Sequence, residues 1–347
     1  MKKIIPLIVS ILILISGLAS CHDVPEYKND PYGNFDALVD IVGDRYCYFK
    51  EKNIDWHATA AEYRKRISPD TKELELFQIM SELLDELKDG HVNLSSRFST
   101  SYYRKWWSDY PQNFNLRTLQ QYYLDFDYMT VSGMNYKMLP DSIGYIYIPS
   151  FGNPISQTSL DYVFAVLYGV NKAKGMIIDI RNNGGGLLTN INTLVGRFID
   201  KPLTGGYIRH KTGPAPDAFS EPYKFTFDPA PAGRIRYQGP IIVLTNRSCY
   251  SAANNFVAVM KSLPNVRICG ARTGGGGGLP FTSELPNGWA IRFSASPITD
   301  PEDKETEFGI DPSPGYAVDC TEEELAAGKD AILDFALEAY RKALGEQ

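Results

Sequence analysis

Met176-Ile177-Ile178-Asp179-Ile180-Arg181-Asn182-Asn183-Gly184-Gly185-Gly186 is the stretch that decides the fold. Its apolar run does not alternate, as expected of a strand buried on both faces in a parallel sheet covered by helices. Three glycines then let the backbone turn tightly with its N–H groups exposed, and Leu187 to Ile199 resumes at helical spacing. Upstream, Gly144 to Pro149 reads as a strand and Leu160 to Val170 as a helix. Downstream, Pro240 to Thr245 is a strand, Ser251 to Leu263 a helix, Val266 to Cys269 a strand and Trp289 to Phe293 another. This order predicts an α/β core over 141–320, with a largely parallel sheet and right-handed crossovers.

The flanks read differently. Thr321 to Leu344 is a closing helix within 321–347, with Thr321 as cap and Glu324 completing a capping box. Before the core, 34–95 is a small helical region: Phe35, Leu38, Val39, Val42 and Tyr46 share one face, as do Leu74, Leu76, Ile79, Leu83, Leu84 and Leu87, and Asp55 caps a middle helix. Asp89-Gly90 ends the last of about three helices, and His91 to Ser95 alternates like a short strand. Residues 96–140, rich in Tyr and Trp, read as a cap or as extra strands, and 21–33 as a linker. Residues 1–20 read as a signal peptide: Lys2 and Lys3, an apolar stretch from Ile4 to Ile15 too short to span a bilayer, then small residues. Leu18-Ala19-Ser20-Cys21 resembles a bacterial lipobox, which makes Cys21 the lipidated first residue of an exported chain anchored to the cell envelope.

With 347 residues, 44% of them apolar and 22% charged, the chain can bury a sizeable core and is not disordered. Lys+Arg 35 against Asp+Glu 41 gives −6, a balance that argues against a nucleic-acid partner. Cys47, Cys249, Cys269 and Cys320 match no metal spacing and are too few for a disulfide scaffold, so they read as small core residues. No metal or cofactor is expected.

Ligands of open α/β sheets gather where strands end, which directs attention to two junctions. The glycine turn after Ile180 offers N–H groups that can hold a phosphate or an oxyanion, but the phosphate-loop lysine is missing, and glycines alone equally describe a plain turn. In Leu244-Thr245-Asn246-Arg247-Ser248-Cys249-Tyr250-Ser251-Ala252-Ala253, Ser251 stands at a strand-to-helix turn with small neighbours, as a nucleophile requires, although a serine there is also an ordinary helix cap. Together with Gly270-Ala271-Arg272-Thr273-Gly274-Gly275, the two junctions resemble the C-terminal-processing, or tail-specific, serine peptidases, a family that includes the tricorn protease core and retinoid-binding modules. The resemblance implies a crotonase-like (ClpP/crotonase) α/β core and peptide-bond hydrolysis by Ser251.

Three departures shape what the resemblance implies. Bacterial processing members carry a lysine base where this chain has Gly276, which points to the tricorn-like branch with a histidine base on the N-terminal segment. Of four histidines, His22 adjoins the lipobox cysteine, His57 lies in a surface-like helix and His210 in a strand. His91 alone follows a turn of the kind that lines sites. The segment Glu307-Phe308-Gly309-Ile310-Asp311-Pro312 resembles the family's glutamate motif, so Glu307 is the expected third member. Gly90 stands where the tricorn core has a serine, which leaves Asp89 as an alternative. The family's oxyanion hole maps to Gly184 or Gly185 and to Ala252. Gly274 to Gly278 is either a mobile lip or a linker. Many relatives insert a PDZ domain, but the 45 residues of 96–140 are about half of one. The Tyr102, Tyr103, Trp106, Trp107, Tyr110 cluster is a cap over the site or plain packing. The resulting expectation is an exported serine endopeptidase acting on peptides or unfolded protein tails. The competing one is a non-catalytic lipoprotein binding an apolar or peptide ligand on the same fold.

Overall fold

A computed structural model describes residues 26–345. The expected signal peptide and the lipidation at Cys21 lie outside the described residues. Three helices open the structure: α1 (Pro31–Arg45), α2 (Trp56–Arg64) and α3 (Glu73–Asp85). The first begins inside the stretch read as a linker, because Asp30 caps it by accepting from Gly33 N and Pro31 fits its first turn. Asp55 caps α2 as expected. Strand β1 (Asn93–Ser95) follows, then two short helical turns and the hairpin β2 (Met129–Val131) and β3 (Met134–Leu139). Residues 96–140 therefore supply both a covering segment and extra strands.

The core alternates as its sequence predicts: β4 (Ile143–Tyr147), α4 (Gln157–Phe164), β5 (Gly175–Asp179), α5 (Leu188–Val195), β6 (Leu203–Ile208), β7 (Tyr223–Phe227), β8 (Ile241–Thr245), α6 (Ala252–Lys261) and β9 (Val266–Gly270). β4, β5, β8 and β9 pair in parallel, with β3 and β2 added antiparallel at one edge. Every residue of β4, β5 and β8 is buried. Ile146, Ile178 and Val243 face a core closed by α4, α5 and α6. Tyr145, Ile177 and Ile242 face the C-terminal helix. The four core cysteines are free and buried.

The remaining strands form a second, antiparallel sheet. β11 (Ala290–Thr299) pairs β1, β6 and β10 (Gly278–Glu284), and β6 pairs β7. The strand predicted near Trp289 thus lies outside the parallel sheet, and Ile291 and Phe293 pack on the helical region with Leu38, Met80 and Leu83. The closing helix is broken into α7 (Glu322–Ala326) and α8 (Ala331–Gly345) by Gly328 at φ +83°. Asp330 there receives the fully buried Arg181 at 2.7 Å and caps Leu333 N at 3.1 Å. Arg181 also grips Asp179 at 2.6 Å, so the end of β5 and the start of α8 share one buried charge cluster.

Candidate active site

Ser251 stands at the start of α6 with φ +56° and ψ −120°, a left-handed backbone that costs a non-glycine residue about 1–3 kcal/mol unless neighbours impose it. Neighbours from three segments do. Its N–H donates to Gly275 O at 2.8 Å, Tyr250 N to Asn183 O at 3.1 Å, and Gly274 N to Cys249 O at 2.7 Å. Asn182 and Asn246 exchange hydrogen bonds at 2.9 and 2.7 Å, tying the two strand-end junctions together. A Cβ on Gly185, already at φ +101°, would lie 2.8 Å from Ser251 Cβ, so the glycine turn closes directly onto the serine.

The Nε2 atom of His91 lies 2.8 Å from Ser251 Oγ, across 160 positions of sequence. β1 positions the histidine by pairing with β11, and the Asp89 carboxylate accepts the His91 backbone N–H at 2.8 Å. Asp89 is buried and also accepts the hydroxyls of Tyr46 at 3.0 Å and Tyr250 at 3.2 Å. On the other side of the imidazole, Ser294 Oγ of β11 stands 3.5 Å from Nδ1. Burial, aided by Arg292 and Lys52 and opposed by Asp89, pushes the His91 pKa down to about 4. The ring is therefore neutral near pH 7, the form able to accept a proton.

Glu307 is buried in the same cluster but makes no hydrogen bond to His91. Its carboxylate pairs with Lys52 Nζ at 2.7 Å and accepts Gly277 N–H at 2.9 Å, while His91 Nδ1 faces Ser294. Lys52, from the α1–α2 connection, is held by Leu87 O and Lys88 O, and draws Glu307 to its own side of the cluster. Burial and the charge of Asp89 outweigh Lys52 and raise the Glu307 pKa to about 8. Asp89 keeps its charge, its pKa lowered against burial by Lys52 and His91.

Gly90, another departure, has a steric cause. A Cβ there would lie 2.5 Å from Trp106 Nε1. Trp106 stacks on Tyr250 with ring centroids 4.1 Å apart, and Tyr250 OH receives the Gly90 N–H at 3.0 Å. The aromatic segment thus packs on the residues flanking the serine and histidine. Position 276 is closed as well: at φ +79°, a Cβ would lie 2.5 Å from Tyr250 Cζ. Gly274 to Gly277 is neither lip nor linker but a brace, bonded to Cys249, Ser251, Glu307 and Ile298.

Among the expected oxyanion donors, Gly185 is excluded, because its N–H donates to Asn183 Oδ1 at 2.9 Å. The N–H groups of Gly184 and Ala252 have no acceptor among the described residues, and Ala252 opens α6, where helix geometry leaves donors unpaired. Beside Ser251 lies a cavity of about 300 Å³ walled by Leu188, Leu279, Pro280 and Ile298, with Asn255 and Arg292 as its larger polar members. A bigger cavity, about 720 Å³, adjoins Trp106 and Tyr250 and does not include the serine. Sequence reading missed Lys52, Tyr250, Arg292 and Ser294. Tyr250 alone had a visible signal, its place next to Ser251.

The profile of peptidase family S41 matches residues 142–313, and that of the tricorn protease C1 domain residues 27–85. A solved structure from Parabacteroides merdae, described as a candidate peptidase, is similar with a TM-score of 0.83 and 42% identity, over 90% of this chain and 97% of that one. Tricorn protease of Thermoplasma acidophilum is 25% identical over 211 residues, 58% of this chain and 17% of its own length. The carboxy-terminal processing protease CtpA of Bacillus subtilis is 26% identical over 170 residues, 49% of this chain and 34% of its own length. The chain thus spans well under two thirds of either curated relative.

Proposed function

Because the chain belongs to peptidase family S41, we propose that it is an exported, lipid-anchored serine endopeptidase that cleaves peptides or unfolded protein tails, with Ser251 as nucleophile and His91 as general base. The observation that carries this reading is the 2.8 Å approach of Ser251 Oγ to a neutral His91 at the rim of a cavity. In the first step Ser251 Oγ attacks the scissile carbonyl carbon while its proton passes to His91 Nε2. The carbonyl oxygen becomes an oxyanion beside the Ala252 N–H, where the α6 dipole favours negative charge. Collapse of the tetrahedral species breaks the C–N bond, and His91 gives its proton to the leaving amine. Water, deprotonated by His91, then attacks the acyl-serine and releases the acid. During both steps the imidazolium is stabilised by the charged Asp89, which also fixes the backbone of the histidine.

The test is covalent labelling with a fluorophosphonate probe. Wild type is expected to label; Ser251→Ala abolishes labelling, and His91→Ala slows it by a factor on the order of 10³ or more. A folded wild-type protein that stays unlabelled where a related peptidase reacts would overturn the reading and favour the binding lipoprotein.

A further inference from the structure

Arg292 is the one charged residue lining the cavity that holds Ser251. Its position on β11 places one guanidinium nitrogen, NH1, on His91 O at 3.1 Å and on Asn93 Oδ1 at 3.2 Å. Both are neutral acceptors. Other well-buried cations in the molecule have carboxylates: Lys52 has Glu307 and Asp89, Arg181 has Asp179 and Asp330, and Arg197 has Asp161. Among the described residues no carboxylate lies within ion-pair distance of Arg292. Its Nε and second terminal nitrogen have no protein acceptor there either. A half-buried guanidinium with no carboxylate in contact, and only the more distant charge of Asp89 to offset its burial, is costly to keep, and its planar fork matches a carboxylate. The same cavity is lined by Asn255, which is 6% exposed and whose Nδ2 has no hydrogen-bond partner. The rest of the wall is largely apolar, which strengthens any ion pair formed inside it.

We propose that this cavity receives a carboxylate of the peptide substrate, anchored by Arg292, so that the enzyme selects peptides bearing a negative charge close to the scissile bond. The inference rests on Ser251 as nucleophile. Two parts of a peptide carry that chemistry, an Asp or Glu side chain and the free α-carboxylate of a chain end. A bound carboxylate also acts on the base. Arg292 is one of the cations that lower the His91 pKa, and neutralising it makes the imidazole a better proton acceptor when an acidic substrate is present.

The test separates binding from cleavage. In the Ser251→Ala protein, fluorescence anisotropy measures three peptides of one sequence: a neutral peptide with an amidated end, the same peptide with a free carboxylate end, and the amidated peptide with one Glu. One acidic peptide is expected to bind on the order of ten- to a hundredfold more tightly than the neutral amide. Tighter binding of the free-ended peptide identifies the chain end; tighter binding of the Glu peptide identifies a side chain. Arg292→Gln abolishes the difference and Arg292→Lys keeps part of it. Leu279→Glu, which supplies a carboxylate to the cavity from its wall, abolishes it without removing the arginine. Equal binding of all three peptides, or a preference that survives both Arg292→Gln and Leu279→Glu, overturns the proposal. Fluorophosphonate labelling of proteins that retain Ser251 reports the peptidase reading separately. A labelled enzyme with no charge preference sinks only this proposal, and an unlabelled protein that keeps the preference sinks the peptidase assignment and leaves Arg292 as a carboxylate-binding site without a role in substrate selection.

Discussion

Asp89, two residues before His91, is the carboxylate of the proposed catalytic cluster whose pKa is lowered, whereas burial and Asp89 raise that of Glu307 beside Lys52. Their substitutions are therefore expected to differ. Asp89→Asn removes the charge that opposes protonated-base formation costs and weakens the His91 backbone bond, lowering kcat/KM by about 10²-fold or more. Glu307→Gln, which changes a group bonded to Lys52 and Gly277 rather than to His91, costs less than about tenfold. Steady-state kinetics on one peptide decides between them, and the reverse order would restore Glu307 as the orienting acid. The same measurements across pH carry a sign. A histidine below its pKa is protonated and cannot act as base, so the acidic limb of kcat/KM falls near pH 4 rather than near 6.5. Ser251 and His91 were legible in the sequence because each sits in a short motif at an element boundary. Lys52 and Ser294 were not, because a lysine in a connection and a serine in a strand look like surface residues until distant segments bring them to the site.

The parallel strands could be read from sequence because burial on both faces leaves long apolar runs ending in glycine or asparagine turns. The second sheet was legible only in part: His91 to Ser95 and Trp289 to Phe293 read as strands, but their pairing with each other and with β10 did not show. β10 reads Gly278-Leu279-Pro280-Phe281-Thr282-Ser283-Glu284, with a register shift at Leu279/Pro280, and β11 alternates imperfectly because it faces the helical region along only part of its length. The broken C-terminal helix was equally hidden, since its capping box at Thr321 is genuine and the break serves a side chain 149 positions away. That break makes a stability prediction. Asp330→Ala leaves Arg181 with one carboxylate, uncaps α8 and lowers unfolding free energy by about 3–5 kcal/mol, the usual result of removing one partner from a buried charge cluster. Urea denaturation checks it, and a loss under 1 kcal/mol would show that the second carboxylate is dispensable.

Across the whole molecule, the serine and the histidine flank separately packed cores, and β1, β11 and the helical region share one of them. Among the described residues no helix is long and apolar enough to cross a membrane, and the proposed lipid anchor at Cys21 makes its own prediction. Cys21→Ser is expected to move the protein from the membrane fraction to the soluble exported fraction while leaving fluorophosphonate labelling intact. Fractionation after expression in a bacterial host reads the outcome, and an unchanged membrane fraction would remove the lipid anchor from the proposal.

Tyr250 has a consequence for the routes by which such a site can change. Its ring fills the space that a side chain at position 276 would need, and its hydroxyl joins Asp89 to the Gly90 N–H. Gly276→Lys alone meets that ring, and shrinking Tyr250 to admit a lysine withdraws a contact from the acid that supports the histidine. Within this framework a side chain at position 276 and the Tyr250 ring compete for one space, so the aromatic residue before the serine sets what its glycine neighbour can become.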